Sequence, residues 1–103
     1  MTANEKGTFV ITTSFYDSTG AVNTPTSVTW SLMDRSGSIV NGREDVSISA
    51  GTTIYIVCTT DDLDAADGLS RTLLVKWVYD SDRGEGLTEN SEYNFDINNL
   101  VGV

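Results

Sequence analysis

The chain of 103 residues carries 15 acidic and 6 basic side chains, a formal charge of −9 at pH 7, no histidine and one cysteine. This balance repels nucleic-acid phosphates and anionic lipid head groups, so we expect neither as a partner. Without histidine the chain lacks the commonest general base and metal ligand, and one cysteine cannot form an internal disulfide. The composition therefore argues against an enzyme and against a disulfide-built secreted domain.

The length predicts one domain, residues 1–103, that is large enough to fold without a metal or a disulfide. The sequence shows no signal-peptide pattern of a charged segment followed by an apolar one, and no apolar run long enough to span a membrane. We therefore expect a protein without a signal peptide and without membrane association.

Apolar residues at every second position predict the first two strands. Residues 8–16 have apolar side chains on both faces of the first predicted strand, and residues 17–20 form a turn after it. Pro25, whose fixed φ and missing N–H suit a strand entrance, precedes a second strand that starts at Thr26. Three apolar side chains on one face of this strand form the clearest core pattern: Val28, Trp30 and Leu32.

Turn residues separate short strands in the middle of the chain. Residues 34–37 begin with Asp and end with Gly, which favours a type I turn and a hairpin to the short strand 38–40. The Asn-Gly pair at 41–42 predicts a second tight turn, which leads to a strand at residues 46–48.

The second half of the chain predicts three longer strands, residues 53–59, 71–79 and 92–98. The polar crossover at residues 61–68 has Leu63 as its apolar anchor, and residues 80–86 form a glycine-rich hairpin loop.

Seven strands at spacings of about a dozen residues are typical of immunoglobulin-like folds. We predict an all-β protein, a single immunoglobulin-like (fibronectin-III-like) antiparallel β-sandwich of about seven strands. Its predicted core consists of the apolar side chains that are in phase on their strands: Phe9, Ile11, Val28, Trp30, Leu32, Ile54, Ile56, Leu73, Val75, Trp77, Phe95 and Ile97.

Four aspartates in the crossover form the first candidate site: Asp61, Asp62, Asp64 and Asp67. Carboxylate oxygens are the ligands that calcium prefers, but this spacing matches no calcium motif. Aspartates are also favoured in loops as solvated residues that cap turns or a short helical turn, and we prefer this interpretation. We predict no metal and no cofactor.

Other candidate chemistry has simpler explanations. The loop from Asp80 has Arg83 and then Gly84 where an EF-hand needs a ligand and then its glycine, so a hairpin is favoured. The carboxylates of Glu89 and Glu92 would need a cleft to hydrolyse a glycoside, which a small sandwich rarely encloses. The sequence therefore predicts a protein that is not an enzyme.

Aromatic residues suggest two further alternatives. Trp30 and Trp77 could form a sugar-stacking platform. Each falls on the same strand face as aliphatic residues, however, which favours a position in the core. One or two of Tyr16, Tyr55 and Tyr79 could instead be exposed at a protein interface. The alternative function left open is a calcium- or glycan-binding immunoglobulin-like adhesion module.

Four segments, residues 25–32, 37–43, 78–84 and 92–97, make the chain resemble the small immunoglobulin-like structural proteins of tailed bacteriophages. The resemblance covers most of the chain as a fold-level pattern. It departs from true immunoglobulin domains, which carry a cysteine pair, and from fibronectin type III domains, which place a tyrosine corner where this chain has Leu69, Arg71 and Leu73.

The resemblance implies a virion protein, made in the host cytoplasm, that serves in capsid decoration, head-tail joining or tail attachment. It implies a larger capsid, neck or tail protein as partner, and further copies of the chain as possible partners. The turns expected to project from the ends of the sandwich supply the predicted contact residues: Asn41, Arg43, Asp80, Asp82 and Arg83.

Overall fold

The computed structural model describes residues 1–17 and 19–102 and contains seven strands and two short 3-10 helices. The strands are β1 Thr2–Asn4, β2 Thr8–Ser14, β3 Ser27–Met33, β4 Val46–Ile48, β5 Thr53–Thr59, β6 Ser70–Ser81 and β7 Gly84–Asn98. The 3-10 helices, Thr60–Leu63 and Ala65–Asp67, lie in the crossover between β5 and β6. No helix in the described residues is long and apolar enough to cross a bilayer.

The strands form two sheets with the order β1-β7-β6-β3-β4 in the larger sheet and β2-β5 in the smaller. Immunoglobulin-type sandwiches divide their second and fifth strands from their third, sixth and seventh in this way. The prediction of an all-β, immunoglobulin-like sandwich is therefore confirmed. One neighbouring pair departs from the antiparallel expectation, because β1 runs parallel to β7.

The core lies between the sheets, where the inward side chains of the long strands meet. Every predicted core residue is buried except Phe9, which is half-buried and stacks on Phe95 at a centroid distance of 4.7 Å. Alternation explains this result, because side chains at every second position of a strand share one face. Leu63, the predicted anchor of the crossover, is also fully buried.

The predicted element boundaries are wrong at three places. Residues 38–40 are not a strand, because the hairpin after β3 makes only an isolated bridge between Met33 and Ile39. The three-residue β1 was not predicted, since Ala3 is its only buried residue and it shows no alternation. β7 begins at Gly84 rather than at residue 92, because its backbone pairing with β6 continues through polar residues.

The molecule is elongated, with extents of 52 × 21 × 19 Å. β6 and β7 have 12 and 15 residues, whereas β2 and β5 have 7 each. The small sheet therefore covers only part of the large sheet. Further along, Phe15 contacts Trp77, and Asn23 Nδ2 donates to the carbonyl of Asp80 at 3.0 Å.

Candidate functional site

Arg71 lies at the start of β6 and is buried, with only 1% of its surface exposed. Its guanidinium donates hydrogen bonds to five backbone carbonyls, those of Asp62 (3.0 Å), Asp64 (2.7 Å), Asp67 (3.3 Å), Gly68 (2.9 Å) and Ser70 (2.9 Å). Burial lowers the pKa of Arg71 from its ordinary value, and nearby carboxylates oppose that shift. Arg71 thus holds the crossover at the corner where immunoglobulin-type sandwiches commonly use a tyrosine hydroxyl.

The carboxylate of Asp62 is fully buried and joins the crossover to the turn after β3. Its Oδ1 accepts from Asn41 Nδ2 at 2.9 Å and from Arg43 Nε at 2.8 Å, and its Oδ2 accepts from Thr59 N at 2.9 Å. Burial penalises the charged form, but these hydrogen bonds outweigh it and hold the pKa of Asp62 below its ordinary value. The guanidinium of Arg43 also lies 5.7 Å from the ring centre of Trp30.

The other crossover aspartates have different environments. Lys6 Nζ lies 3.0 Å from carboxylate oxygens of both Asp61 and Asp64, and Asp64 also accepts from the N–H of Ala66. The expectation of solvated aspartates is wrong for Asp62, whereas Asp64 caps a short helix as expected. Across the described residues, no group of three or more acidic or cysteine side chains is placed to hold a metal ion.

Asp62→Asn is expected to lower the free energy of unfolding at pH 7 by about 2–3 kcal/mol, because three partly buried hydrogen bonds lose their charged acceptor, the buried carboxylate. The folded-state pKa of Asp62 lies below the unfolded value, so the unfolded chain takes up the proton first as pH falls. The stability contributed by ionised Asp62 is therefore present above about pH 4 and is lost below it.

Urea denaturation of wild type and Asp62→Asn between pH 7 and pH 2 measures this contribution. We expect the difference between the two proteins to shrink below about pH 4. The exposed neighbour Asp61 supplies the matched control, and Asp61→Asn should change stability by no more than about 0.5 kcal/mol. A difference for Asp62→Asn that stays constant down to pH 2 would contradict the assignment.

The predicted contact residues Asn41 and Arg43 both bind Asp62, so their side chains serve an intramolecular contact. The side chain of Arg43 remains 36% exposed beside this contact. The backbone carbonyl of Arg43 accepts from Leu32 N at 2.8 Å. Leu32 pairs with Leu73 of β6, so this turn lies at the same position along the sheet as Leu73.

The other predicted contact residues, Asp80, Asp82 and Arg83, are exposed at the far end of β6 and in the turn to β7. Asp80 lies about 23 Å beyond Leu73 at the ordinary rise of a strand. Asp80 Oδ1 accepts from Gly86 N at 2.8 Å, which stabilises the hairpin turn. The two predicted contact turns therefore lie at different levels along the molecule, and the structure does not bring them together.

The remaining candidate groups are placed for packing. Trp30 and Trp77 are 6% and 8% exposed, so the prediction that they belong to the core is confirmed. Glu89 lies opposite Trp77 and Glu92 opposite Leu74, which places the two carboxylates on opposite faces of β7.

Cys58 is buried on β5. Burial raises the pKa of its thiol to about 12, with a smaller contribution from Asp62 in the same direction. The thiolate is the nucleophilic form of cysteine. Cys58 is therefore protonated at neutral pH and behaves as a core side chain.

The outer face of the small sheet carries no charged side chain. Its eight residues, which we call the neutral face, pair across the sheet as Thr8 with Thr59, Val10 with Val57, Thr12 with Tyr55, and Ser14 with Thr53. Val10, Val57 and Tyr55 are 50%, 46% and 62% exposed. Cores of protein interfaces are depleted in charge and enriched in aromatic residues, so this surface has interface character.

The surfaces next to the neutral face support its interface character. Tyr16 and Val22 form an isolated bridge beyond the end of β2 and are 55% and 65% exposed. The outer face of the large sheet instead carries charged side chains, those of Lys76, Glu92 and Asp96. Of the three tyrosines considered as interface residues, Tyr16 and Tyr55 are exposed and Tyr79 is buried.

No protein-family model, curated protein or solved structure matches the chain. The assignment of the fold therefore rests on strand order and register. The resemblance to phage structural proteins stays a prediction.

Two features of the site were missed in the sequence. Arg71 is in phase with Leu73 and Val75 on β6, and an arginine at a core position is a signal of a buried, hydrogen-bonded cation. The neutral face was also visible as a lack of charge in residues 8–14 and 53–59. Only the sheet order shows that these two segments are neighbours.

Proposed function

We propose that the protein is a non-enzymatic structural subunit of a tailed-bacteriophage particle, which binds a larger capsid, neck or tail protein through the neutral face. The observation that carries this proposal is an uncharged surface, with Val10, Tyr55 and Val57 exposed, on a protein of charge −9. Such a surface can be desolvated at lower cost than the charged faces around it.

The state of the polar groups supports a binding role over catalysis. The Cys58 thiol is protonated at neutral pH, and the Asp62 carboxylate is occupied by three donors within the chain. Nucleophilic catalysis needs an activated nucleophile with an adjacent base. These groups instead stabilise the fold.

The acidic charge supports assembly onto a larger structure. A net charge far from zero keeps free copies apart and soluble in the host cytoplasm before they reach the particle. The resemblance of residues 25–32, 37–43, 78–84 and 92–97 to phage structural proteins supports the virion as the destination. The exposed hairpin with Asp80, Asp82 and Arg83 stays a predicted second contact.

Quantitative mass spectrometry of purified phage particles from cultures that naturally produce the protein tests the proposal. We expect the protein in the particles, in hundreds of copies if it decorates the capsid and in about a dozen or fewer if it belongs to the neck or tail, because copy number follows the symmetry of the site. Absence from the particles, together with recovery of a cellular partner, would overturn the virion assignment.

A variant pair tests the contact surface. Tyr55→Glu places a charge in the neutral face and should reduce incorporation into particles at least tenfold, since an unpaired charge opposes desolvation. Asn90→Glu makes a comparable change on the exposed outer face of the large sheet and should leave incorporation unchanged. Equal incorporation of the two variants would rule out the neutral face as the contact.

A further inference from the structure

We propose that the free edge of β2 pairs with β2 of a second copy of this chain, antiparallel and across a two-fold axis at Ile11. The inference goes beyond the proposed function, although both treat the small sheet as a contact surface. It concerns the strand edge rather than the neutral face, and it names a different partner.

The backbone of β2 offers a complete set of unused hydrogen-bonding groups along this edge. In the described part of the chain β2 pairs only with β5. The bonds Thr60 N to Gly7 O and Phe15 N to Thr52 O, both 3.0 Å, show that the odd-numbered residues direct their N–H and C=O groups toward β5. The even-numbered residues, Thr8, Val10, Thr12 and Ser14, therefore direct these groups to the free edge.

β2 lacks the features that normally protect an edge strand. Proteins block exposed edges with charged side chains, proline, bulges or very short strands. β2 contains no charged residue and no proline over its seven residues, and it pairs with β5 without a register shift. The edges of the large sheet differ, because the edge strands β1 and β4 have only three residues each, and the part of β7 that extends beyond β1 carries Glu85, Glu89 and Glu92.

The packing beneath the small sheet distinguishes β2 from β5. The inward residues of β5, Ile54, Ile56 and Cys58, are at most 5% exposed. On β2 the inward Phe9 is only half-buried, although its neighbour Cys58 is fully buried on the β5 side. Phe9 has no neighbouring strand on its other side, so a strand added along β2 would cover it.

The edge is complementary to itself, which selects a second copy as the occupant. The outward backbone groups are placed symmetrically about Ile11, so an antiparallel copy sets Thr8 opposite Ser14 and Val10 opposite Thr12 of the second copy. Every outward group of one strand then meets a partner on the other. Because β2 carries no charged side chain, two copies of charge −9 meet without like charges opposed across the strands.

The small size of this contact limits its affinity. A seven-residue strand is about 23 Å long, and the sandwich is about 20 Å thick, so each copy contributes on the order of 450 Å². Stable dimers bury about 800 Å² per partner. We therefore expect a reversible dimer with a Kd of about 10–100 μM.

Sedimentation equilibrium of Val10→Lys, of Thr12→Glu and of their equimolar mixture tests the pairing and its register. Each variant alone should weaken the dimer at least tenfold, because a charge then lies on the pairing edge. In the mixture the introduced lysine at position 10 lies opposite the introduced glutamate at position 12 of the second copy, so dimers should reappear. Failure of the mixture to dimerise overturns the proposed register.

Val57→Lys is the matched control, because Val57 lies directly opposite Val10 and is similarly exposed but belongs to β5. It should leave the dimer unchanged, and circular dichroism should show all variants folded. Raising NaCl from about 20 to about 300 mM should strengthen the dimer, because salt screens the repulsion between two acidic copies. Loss of self-association in Val57→Lys, or weakening by salt, overturns the proposal.

The experiment separates this inference from the proposed function. It uses purified protein, so a protein that is absent from phage particles but dimerises through β2 leaves the inference standing. A wild type that remains monomeric at about 500 μM, well above the expected Kd, overturns the dimer alone.

Discussion

Arg71→Met is expected to lower the free energy of unfolding by about 3–5 kcal/mol, because it removes a buried, multiply hydrogen-bonded cation. The substitution keeps most of the side-chain volume but removes the donors for five carbonyls of the crossover. Buried carbonyls without a partner each cost about 1–3 kcal/mol, although those near the surface recover water. Urea denaturation followed by circular dichroism measures the change.

Two further variants identify the cause of this loss. Arg71→Lys keeps the positive charge but lacks the planar, multidentate guanidinium, so it should lose most of the same stability. Arg35→Met makes the matched substitution at an exposed arginine and should change stability by no more than about 0.5 kcal/mol. Wild-type stability in Arg71→Lys would show that the crossover is stabilised by the positive charge and not by the hydrogen bonds of the guanidinium.

Trp77→Ala is expected to destabilise the fold by about 3–5 kcal/mol, because removing a large buried side chain loses its transfer free energy and leaves a cavity. Trp77 is 8% exposed and meets Phe15 edge-on, with ring centroids 5.0 Å apart and planes at 62°. Domains of this kind have a total stability of about 5–15 kcal/mol, so a large part of it would disappear. Chemical denaturation, with Trp30 as the remaining fluorophore, gives the value.

Tyr55→Ala serves as the control for aromatic truncation, since Tyr55 is 62% exposed on the small sheet. Its removal should cost less than about 0.5 kcal/mol. If the two truncations had similar effects, Trp77 would not be a packing centre of the core.

The sequence predicted the central part of the fold because the buried residues there follow the two-residue period of a β-strand. In β3 and β6 the alternate residues are apolar and the residues between them are mostly polar or small, so Trp30 and Trp77 identified the inner faces. The prediction was wrong where pairing depends on distant backbone rather than on side chains. β1 forms by parallel pairing of three residues with the far end of the chain, and the first half of β7 follows β6 without any apolar alternation.

The site could be predicted only in part for a related reason. The exposed residues of β2 and β5 lay within predicted strands, but sequence patterns do not show which strands share a sheet or which edges remain free. The contact between Asp62 and Arg43 joins residues 19 apart along the chain, and it needs the left-handed Asn41 and Gly42 to turn the backbone back. Short-range sequence patterns carry no information about a contact between residues this far apart.

The mismatch in strand length gives the molecule the geometry of a spacer. The 12 residues of β6 pair with β7 in one ladder about 40 Å long at the ordinary rise of a strand, within a long axis of 52 Å. This ladder stops that part of the molecule from shortening or stretching without loss of backbone hydrogen bonds. Bodies held at the two ends of this ladder would keep a constant separation of about 4 nm, a length determined by strand rise and residue number rather than by side chains.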